Sequence, residues 1–178
     1  MQITIPTGRY TVDAAHSSVT FTTRFVIARV KGTFTDVSGT VEVAEDPAKS
    51  TVSAEIAVNS VHTAVEARDE HLRSADFFDV ANHPTARFTS TELVPDGERY
   101  TLRGDLTIRG TTRPVEFDLY ALGSGTDHTG AFRIGFRAST RVSRNAFGVN
   151  GNISAPGGPA LIGDATDLTL EIQAILAS

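Results

Sequence analysis

The sequence predicts an all-β protein, an antiparallel barrel interrupted once by a short helical segment. Two features point to strands: apolar residues recur at every second position along most of the chain, and turn-forming residues separate those runs. A third marks the exception, a charged stretch from Thr63 to Pro84 in which the two-residue period stops.

Along the chain the alternating sets are Val19, Phe21, Thr23 and Phe25; Val52, Ala54, Ile56 and Val58; and Tyr100, Leu102, Gly104, Leu106 and Ile108. They continue as Val115, Phe117, Leu119 and Ala121; Phe132, Ile134, Phe136 and Ala138; and Leu168, Leu170, Ile172, Ala174 and Leu176. Successive side chains of a strand point to opposite faces, so each set lines one face and the intervening polar residues line the other. Turns between them come from Asp46-Pro47, Pro95-Asp96-Gly97, Arg109-Gly110-Thr111-Thr112 and the glycine-rich loop 123–130. Strands with one apolar and one polar face either stack as two sheets or close on themselves, and closure removes exposed edges. A barrel is expected, with the ten phenylalanines largely on the inward parity.

From about Val65 to Asp79 the composition shifts to Ala, Glu, Arg and Leu, and Val65 and Leu72 fall on one helical face. The pattern predicts a short helix, with Thr63 and Glu66 at the spacing of a capping box. Ala75 to Asp79 predicts a second short turn, ended before Pro84 because the residue preceding a proline disfavours helix. Asn150-Gly151-Asn152 and Ala155-Pro156-Gly157-Gly158-Pro159 predict a long loop before the last strand.

At 178 residues the chain reads as one domain, residues 1–178. A formal net charge of −5 supplies no basic excess for a phosphate backbone, so nucleic acid is not an expected partner. Cysteine is absent, which excludes disulfides, thiol catalysis and zinc–thiolate sites. The first ten residues show neither a basic nor an apolar leader pattern and no apolar run is long enough to span a bilayer, so the expected location is cytoplasmic.

No catalytic or metal constellation is legible. His16, His62, His71, His83 and His128 never occur at the H-x-H or H-x-x-x-H spacing that sets two imidazoles around one ion. Asp69, His71 and Asp79 are the nearest approach to a cluster, but Asp69 and His71 point to different sides of a helix. Ser17 next to His16 lacks a strained nucleophile elbow, and the 123–130 glycines lack a phosphate loop's Lys-Ser/Thr ending. Arg68-Asp69 is read as a hydrogen-bonded brace inside the helical segment. The inward phenylalanines leave two readings open: in a narrow barrel they fill the interior, and in a wider one they line a cavity for an apolar ligand.

Ordered motifs run nearly end to end. They are Tyr10-x-x-Asp13-x-x-His16-Ser17, Gly32-Thr33-Phe34, Ser38-Gly39, and Thr63 with Arg68-Asp69-x-His71-Leu72-x-Ser74-x-Asp76-Phe77-Phe78-Asp79. Then come His83-Pro84, Phe88, Gly104-Asp105-Leu106-Thr107-Ile108-Arg109-Gly110-Thr111-Thr112, Arg144-x-x-Phe147-Gly148 and Gly163-Asp164. On these the chain resembles the YceI-like, or polyisoprenoid-binding, family of bacterial lipocalin-like proteins. Tyr10 stands where that family often has tryptophan and His83 where tyrosine is common.

The resemblance implies an extended eight-stranded antiparallel barrel with a long internal tunnel, short helical cover near residues 64–79, and often a homodimer. It also implies non-catalytic binding, carriage or storage of a long-chain amphiphile, such as a polyisoprenoid, an isoprenoid quinone or a fatty-acid derivative, with transient membrane contact for exchange. Many relatives carry an export signal and act in the periplasm. By inward parity and apolar character, Phe21, Phe25, Phe34, Ile56, Phe88 and Leu102 are expected to line the tunnel, together with Leu106, Phe117, Phe132, Ile134 and Phe136. Arg68, His71 and Arg144 are placed at the mouth by family position, with Phe78 and Phe147 nearby. No cofactor, metal or catalytic residue is assigned. The rival readings are an enzyme or isomerase acting on such a lipid with His71 or His16 as base, and a ligand-free stress-response interaction protein with a filled barrel.

Overall fold

The computed structural model describes residues 5–178. Eleven strands occur in it: β1 (Gly8–Val12), β2 (Ser18–Phe25), β3 (Ala28–Phe34), β4 (Val37–Val43), β5 (Thr51–Ala57), β6 (Val61–His62), β7 (Thr85–Asp96), β8 (Arg99–Ile108), β9 (Thr111–Thr126), β10 (Phe132–Ser143) and β11 (Ile162–Leu176). The helix α1 spans Glu66–Arg73. β1 and β2 are two halves of one long strand, broken by a helical turn at Ala14–His16 that Asp13 caps by accepting from the Ala15 N–H. They pair with β4 and β3 in the same way, Tyr10 opposite Val41 and Val19 opposite Phe34. Counted so, eight antiparallel strands follow one another around the wall, and both halves of the first pair with β11 to close it.

The six alternating sets fall on β2, β5, β8, β9, β10 and β11, save Val58, which begins a helical turn just after β5. Turn chemistry explains the tight corners. Gly97 (φ 64°) takes the first position of the β7–β8 turn, and Arg109 and Gly110 (φ 47° and 72°) both sit left-handed between β8 and β9, as a type I′ hairpin turn requires. One expectation is corrected here. Gly123–Thr126 continue β9 as strand, paired with Phe132–Gly135, and only 127–131 turn. Asp127 makes that turn compact, its Oδ1 accepting from the Thr129 N–H, the Thr129 hydroxyl and the Ala131 N–H.

The helical segment folds across one end of the barrel. Its expected capping box does not form: Val65 is the N-cap and makes no side-chain cap bond. Thr63 turns instead to Asp69, whose Oδ1 accepts from the Thr63 N–H at 2.8 Å and from its hydroxyl at 2.5 Å. Asp69 is fully buried, so an unpartnered carboxylate there would be costly, and that need outweighs a helix-end bond to exposed Glu66. Arg68 completes the brace, donating from Nε to Thr63 Oγ1 (2.8 Å) and from Nη2 to the Thr63 carbonyl (2.9 Å). Beyond α1, Phe78 packs against Phe21 and Phe34 with ring centroids 6.4 and 5.6 Å away. Arg109 Nη1 donates to the carbonyls of Phe77 (2.7 Å) and Gly148 (3.1 Å), tying the segment to the loop before β11.

At the opposite end Tyr10, Val41, Ile134 and Ala174 pack as a cluster, with Phe132 and Phe136 against it. Beside it Arg133 bridges Asp13 (2.6 Å) and Asp127 (2.5 Å). Hydrogen bonds from Arg133 and His16 hold the Asp13 carboxyl below its ordinary range; those from Thr129 and Arg133 do the same for Asp127. At Asp69 burial pushes the carboxyl up, but the Thr63 bonds and nearby cations outweigh it and the net shift is downward. A carboxyl with a lowered folded pKa adds stability above its unfolded value, about 3.9, and loses it as pH falls through the folded one. The melting temperature is therefore expected to drop between about pH 5 and pH 2, and Arg133→Gln to flatten part of that drop. A melting temperature constant across that range, measured by circular dichroism, contradicts this account.

An apolar cavity along the barrel axis

The inward faces do not meet. They enclose a cavity of about 1050 Å³, beyond the usual size of a small-molecule pocket. Its wall reaches from Ile5, Pro6, Val43 and Ala44 at one end to Arg24, Phe25, Val65, Arg68 and Ile153 at the other. Along β11 inward residues line it from Ile162 to Ile172, which at about 3.3 Å per residue and a tilt of about 40° makes it roughly 25 Å long. Phe21, Phe88, Phe136, Leu168 and Leu170 point inward yet are only half-buried, because the space beside them is open.

Nine of the eleven residues expected to line a tunnel do border the cavity: Phe21, Phe25, Phe34, Ile56, Phe88, Leu102, Leu106, Phe117 and Phe136. Phe132 and Ile134 do not. They share the parity, but lie where Tyr10 and Ala174 fill the interior, and Ile134 is fully buried there. Alternation reports the face of a strand and not the height at which the lumen closes.

All five mouth candidates, Arg68, His71, Phe78, Arg144 and Phe147, border the cavity. Their chemistry differs. Arg144 is buried and its donors are engaged: Nε by the Gly163 carbonyl (2.7 Å), Nη1 by those of Val149 (2.7 Å) and Gly151 (2.8 Å), Nη2 by that of Ile162 (3.2 Å). It braces the loop before β11 with four of its five N–H groups. His71 stands at the rim, its Nε2 2.9 Å from Asp76 Oδ2 and its ring edge-on to Phe77. Arg68 keeps Nη1 without a hydrogen-bond partner among the described residues. Asp69, His71 and Asp79 are not brought together: Asp79 accepts from Asn82, and no group of three or more ligating side chains forms among the described residues.

Two glycines that the sequence motifs include, Gly104 also on an alternating set, carry a role that the pattern did not reveal. Gly32 and Gly104 sit inward on β3 and β8, and a methyl group on them would come within 2.2 Å of the Phe21 ring and 2.4 Å of the Phe88 ring. Each ring occupies the space a side chain would need at its glycine, so the glycine makes room for it against the wall. A glycine on the apolar parity, one strand away from a phenylalanine, was the available signal. Leu168, Leu170 and Ile172 also line the cavity and belonged to a set already recognised as inward.

Fold and cavity together define a closed, lipocalin-like antiparallel barrel with an apolar lumen. The chain belongs to the YceI-like family, whose domain model matches residues 10–174. It is 39% identical over 145 residues to protein YceI of Escherichia coli O157:H7, across 81% of this chain and 73% of that protein. A UPF0312 protein of Pectobacterium atrosepticum is 42% identical over 130 residues; the match spans 72% of this chain but only 66% of that protein's length. Among solved structures, Burkholderia cenocepacia BcnA superposes with a TM-score of 0.79 at 22% identity, covering 91% of this chain and 98% of BcnA. A polyisoprenoid binding domain from Saccharophagus degradans, implicated in plant cell wall breakdown, superposes with a TM-score of 0.73 at 15% identity, covering 94% and 98%. At those identities the last two speak for the fold alone.

At Gly32 the nearest atoms an added side chain meets all belong to the Phe21 ring, which it should push into the lumen, whereas at Gly104 it would also meet the Thr89 carbonyl at 2.5 Å. Gly32→Val is therefore expected to retain the β circular-dichroism signature while weakening binding of a long fluorescent fatty acid severalfold. Unchanged affinity in this variant would show that the Phe21 ring does not set the bore.

Proposed function

We infer that the protein binds and carries a long-chain amphiphile of the isoprenoid or fatty type in this cavity, without reacting with it. The cavity is the observation that carries the reading: a lumen roughly 25 Å long, walled by Phe, Leu, Ile and Val, complements a hydrocarbon chain. Each methylene moved from water into such a wall contributes about 0.8 kcal/mol. Roughly ten of them supply about 8 kcal/mol, the scale of micromolar affinity before the cost of ordering the chain. Arg68, with one donor nitrogen unengaged at the rim, suits the polar end of such a molecule.

Family membership and the polyisoprenoid binding described for the Saccharophagus domain agree with this reading. The enzymatic alternative draws less support. His16 is exposed, 2.7 Å from Asp13, and does not border the cavity, while His71 borders it only at the rim.

Native mass spectrometry and organic extraction of freshly purified protein are expected to release an isoprenoid-like or fatty lipid, and delipidated protein to take up added prenyl lipid. A clean apo spectrum with no uptake overturns the reading. Leu168 packs with the clusters around both Leu106 and Leu102, at mid-height. Leu168→Trp should therefore exclude long chains while retaining short ones, checked by competition across a chain-length series.

A further inference from the structure

We propose that the β2–β3 hairpin tip is a membrane-docking element that inserts into a bilayer bearing anionic head groups and sets the cavity mouth against it. The proposal rests on the lipid-carrier reading and assigns the surface from which the carrier is loaded.

The tip is built against the preferences of a soluble hairpin. Phe25 pairs with Ala28, leaving Val26 and Ile27 as a two-residue turn. Val26 adopts φ 56°, at a position where the tight hairpin turn favours glycine and a β-branched residue is strained. Ile27 is 95% exposed, and Phe25 and Val26 are 37% and 44% exposed. A strained valine beside a fully exposed isoleucine harms solubility and local stability alike, so its use lies in what the tip meets outside the molecule.

Two observations select a bilayer. The first is continuity: Phe25 borders the cavity as well as the tip, and exposed Val65 and Ile153 border it from the helix and the loop before β11. An acyl or prenyl chain leaving a membrane at this rim would pass from one apolar medium into another. The second is charge. Along the outer wall, Arg87, Arg103, Arg137 and Arg141 each pair with a carboxylate on the neighbouring strand. Around the tip Arg29 pairs with Asp167, but Arg24 donates only to the Val26 carbonyl and Lys31 has no partner among the described residues. No acidic residue lies between Asp13 and Asp36. In a chain of net charge −5, this end carries cations without carboxylate partners beside exposed apolar residues, the pairing that holds peripheral proteins on anionic membranes.

The test is flotation of the full chain with vesicles of phosphatidylcholine alone and of phosphatidylcholine with phosphatidylglycerol. Wild-type protein is expected to float with the anionic vesicles and less with the neutral ones, and Arg24→Gln with Lys31→Gln to remove the difference. Val26→Gly with Ile27→Ser suits the turn better, so its melting temperature should rise while vesicle binding falls by roughly tenfold or more. Wild-type protein that stays out of the vesicle fraction overturns the proposal, as does a turn variant that floats like wild type. So does a turn variant that changes only the oligomeric state or the capture of a partner protein. Uptake of prenyl lipid from detergent solution, measured in parallel, should be unchanged in the turn variant. Its failure in wild type would sink the carrier reading and leave the flotation result standing.

Discussion

Closure of the wall is the constraint on which the rest depends. An open interior gives up the dispersion contacts that a packed core supplies, and a sheet with free edges around such a space would collapse or aggregate. Here β1 pairs with β4 on one side and β11 on the other, which closes the backbone ladder around the lumen, while the β2–β3 half ends on the short β6, beside which the helical segment folds. Buried clusters close the ends, with Tyr10, Val41, Ile134 and Ala174 at one and Phe77, Leu106, Phe147 and Val149 toward the other, and further clusters around Val19 and Leu102 thicken the wall. Between them, glycines under Phe21 and Phe88 hold aromatic area on the wall and out of the axis.

Polar interactions divide between two tasks. On the outer face Arg87 stands directly opposite Glu55, Arg103 opposite both Glu92 and Glu116, and Arg137 opposite Glu171. Exposed pairs like these add little stability, since water screens them and two long side chains must be ordered. Their value lies in register, because a one-residue slip would set every apolar side chain outward and break each pair at once. Buried and half-buried polar groups do the other task, holding irregular backbone over the barrel end: Asp69 and Arg68 fasten Thr63, Arg144 gathers four carbonyls from the loop and the start of β11, and Arg109 joins the two segments. A lid built of loops needs such partners, as its backbone has no ladder to satisfy it.

Much of this was legible in the sequence. Six strands followed from strict alternation and the helical segment from its loss. β7 escaped notice because its register shifts between Ser90 and Glu92, which breaks the parity between Phe88 and Leu93. β1, β3 and β4 were harder to read since their long strands are broken, at Ala14–His16 and at Thr35-Asp36, before a pattern accumulates. At the site, wall residues were recognisable from parity, while roles at the rim were not. Arg68 and Arg144 look alike in a sequence, yet one keeps an unengaged nitrogen and the other has all three nitrogens on backbone carbonyls that the fold gathers from Val149, Gly151, Ile162 and Gly163. The Phe132 and Ile134 positions show the same limit in another form, as depth along the axis comes from the ends of eight strands at once.

The most direct measurement is a crystal structure of the protein as purified, inspected along the barrel axis. The account predicts a hollow interior containing continuous elongated density, with Phe21 against Gly32 and Phe88 against Gly104. Side chains meeting across the axis, with no room for a guest, would contradict it.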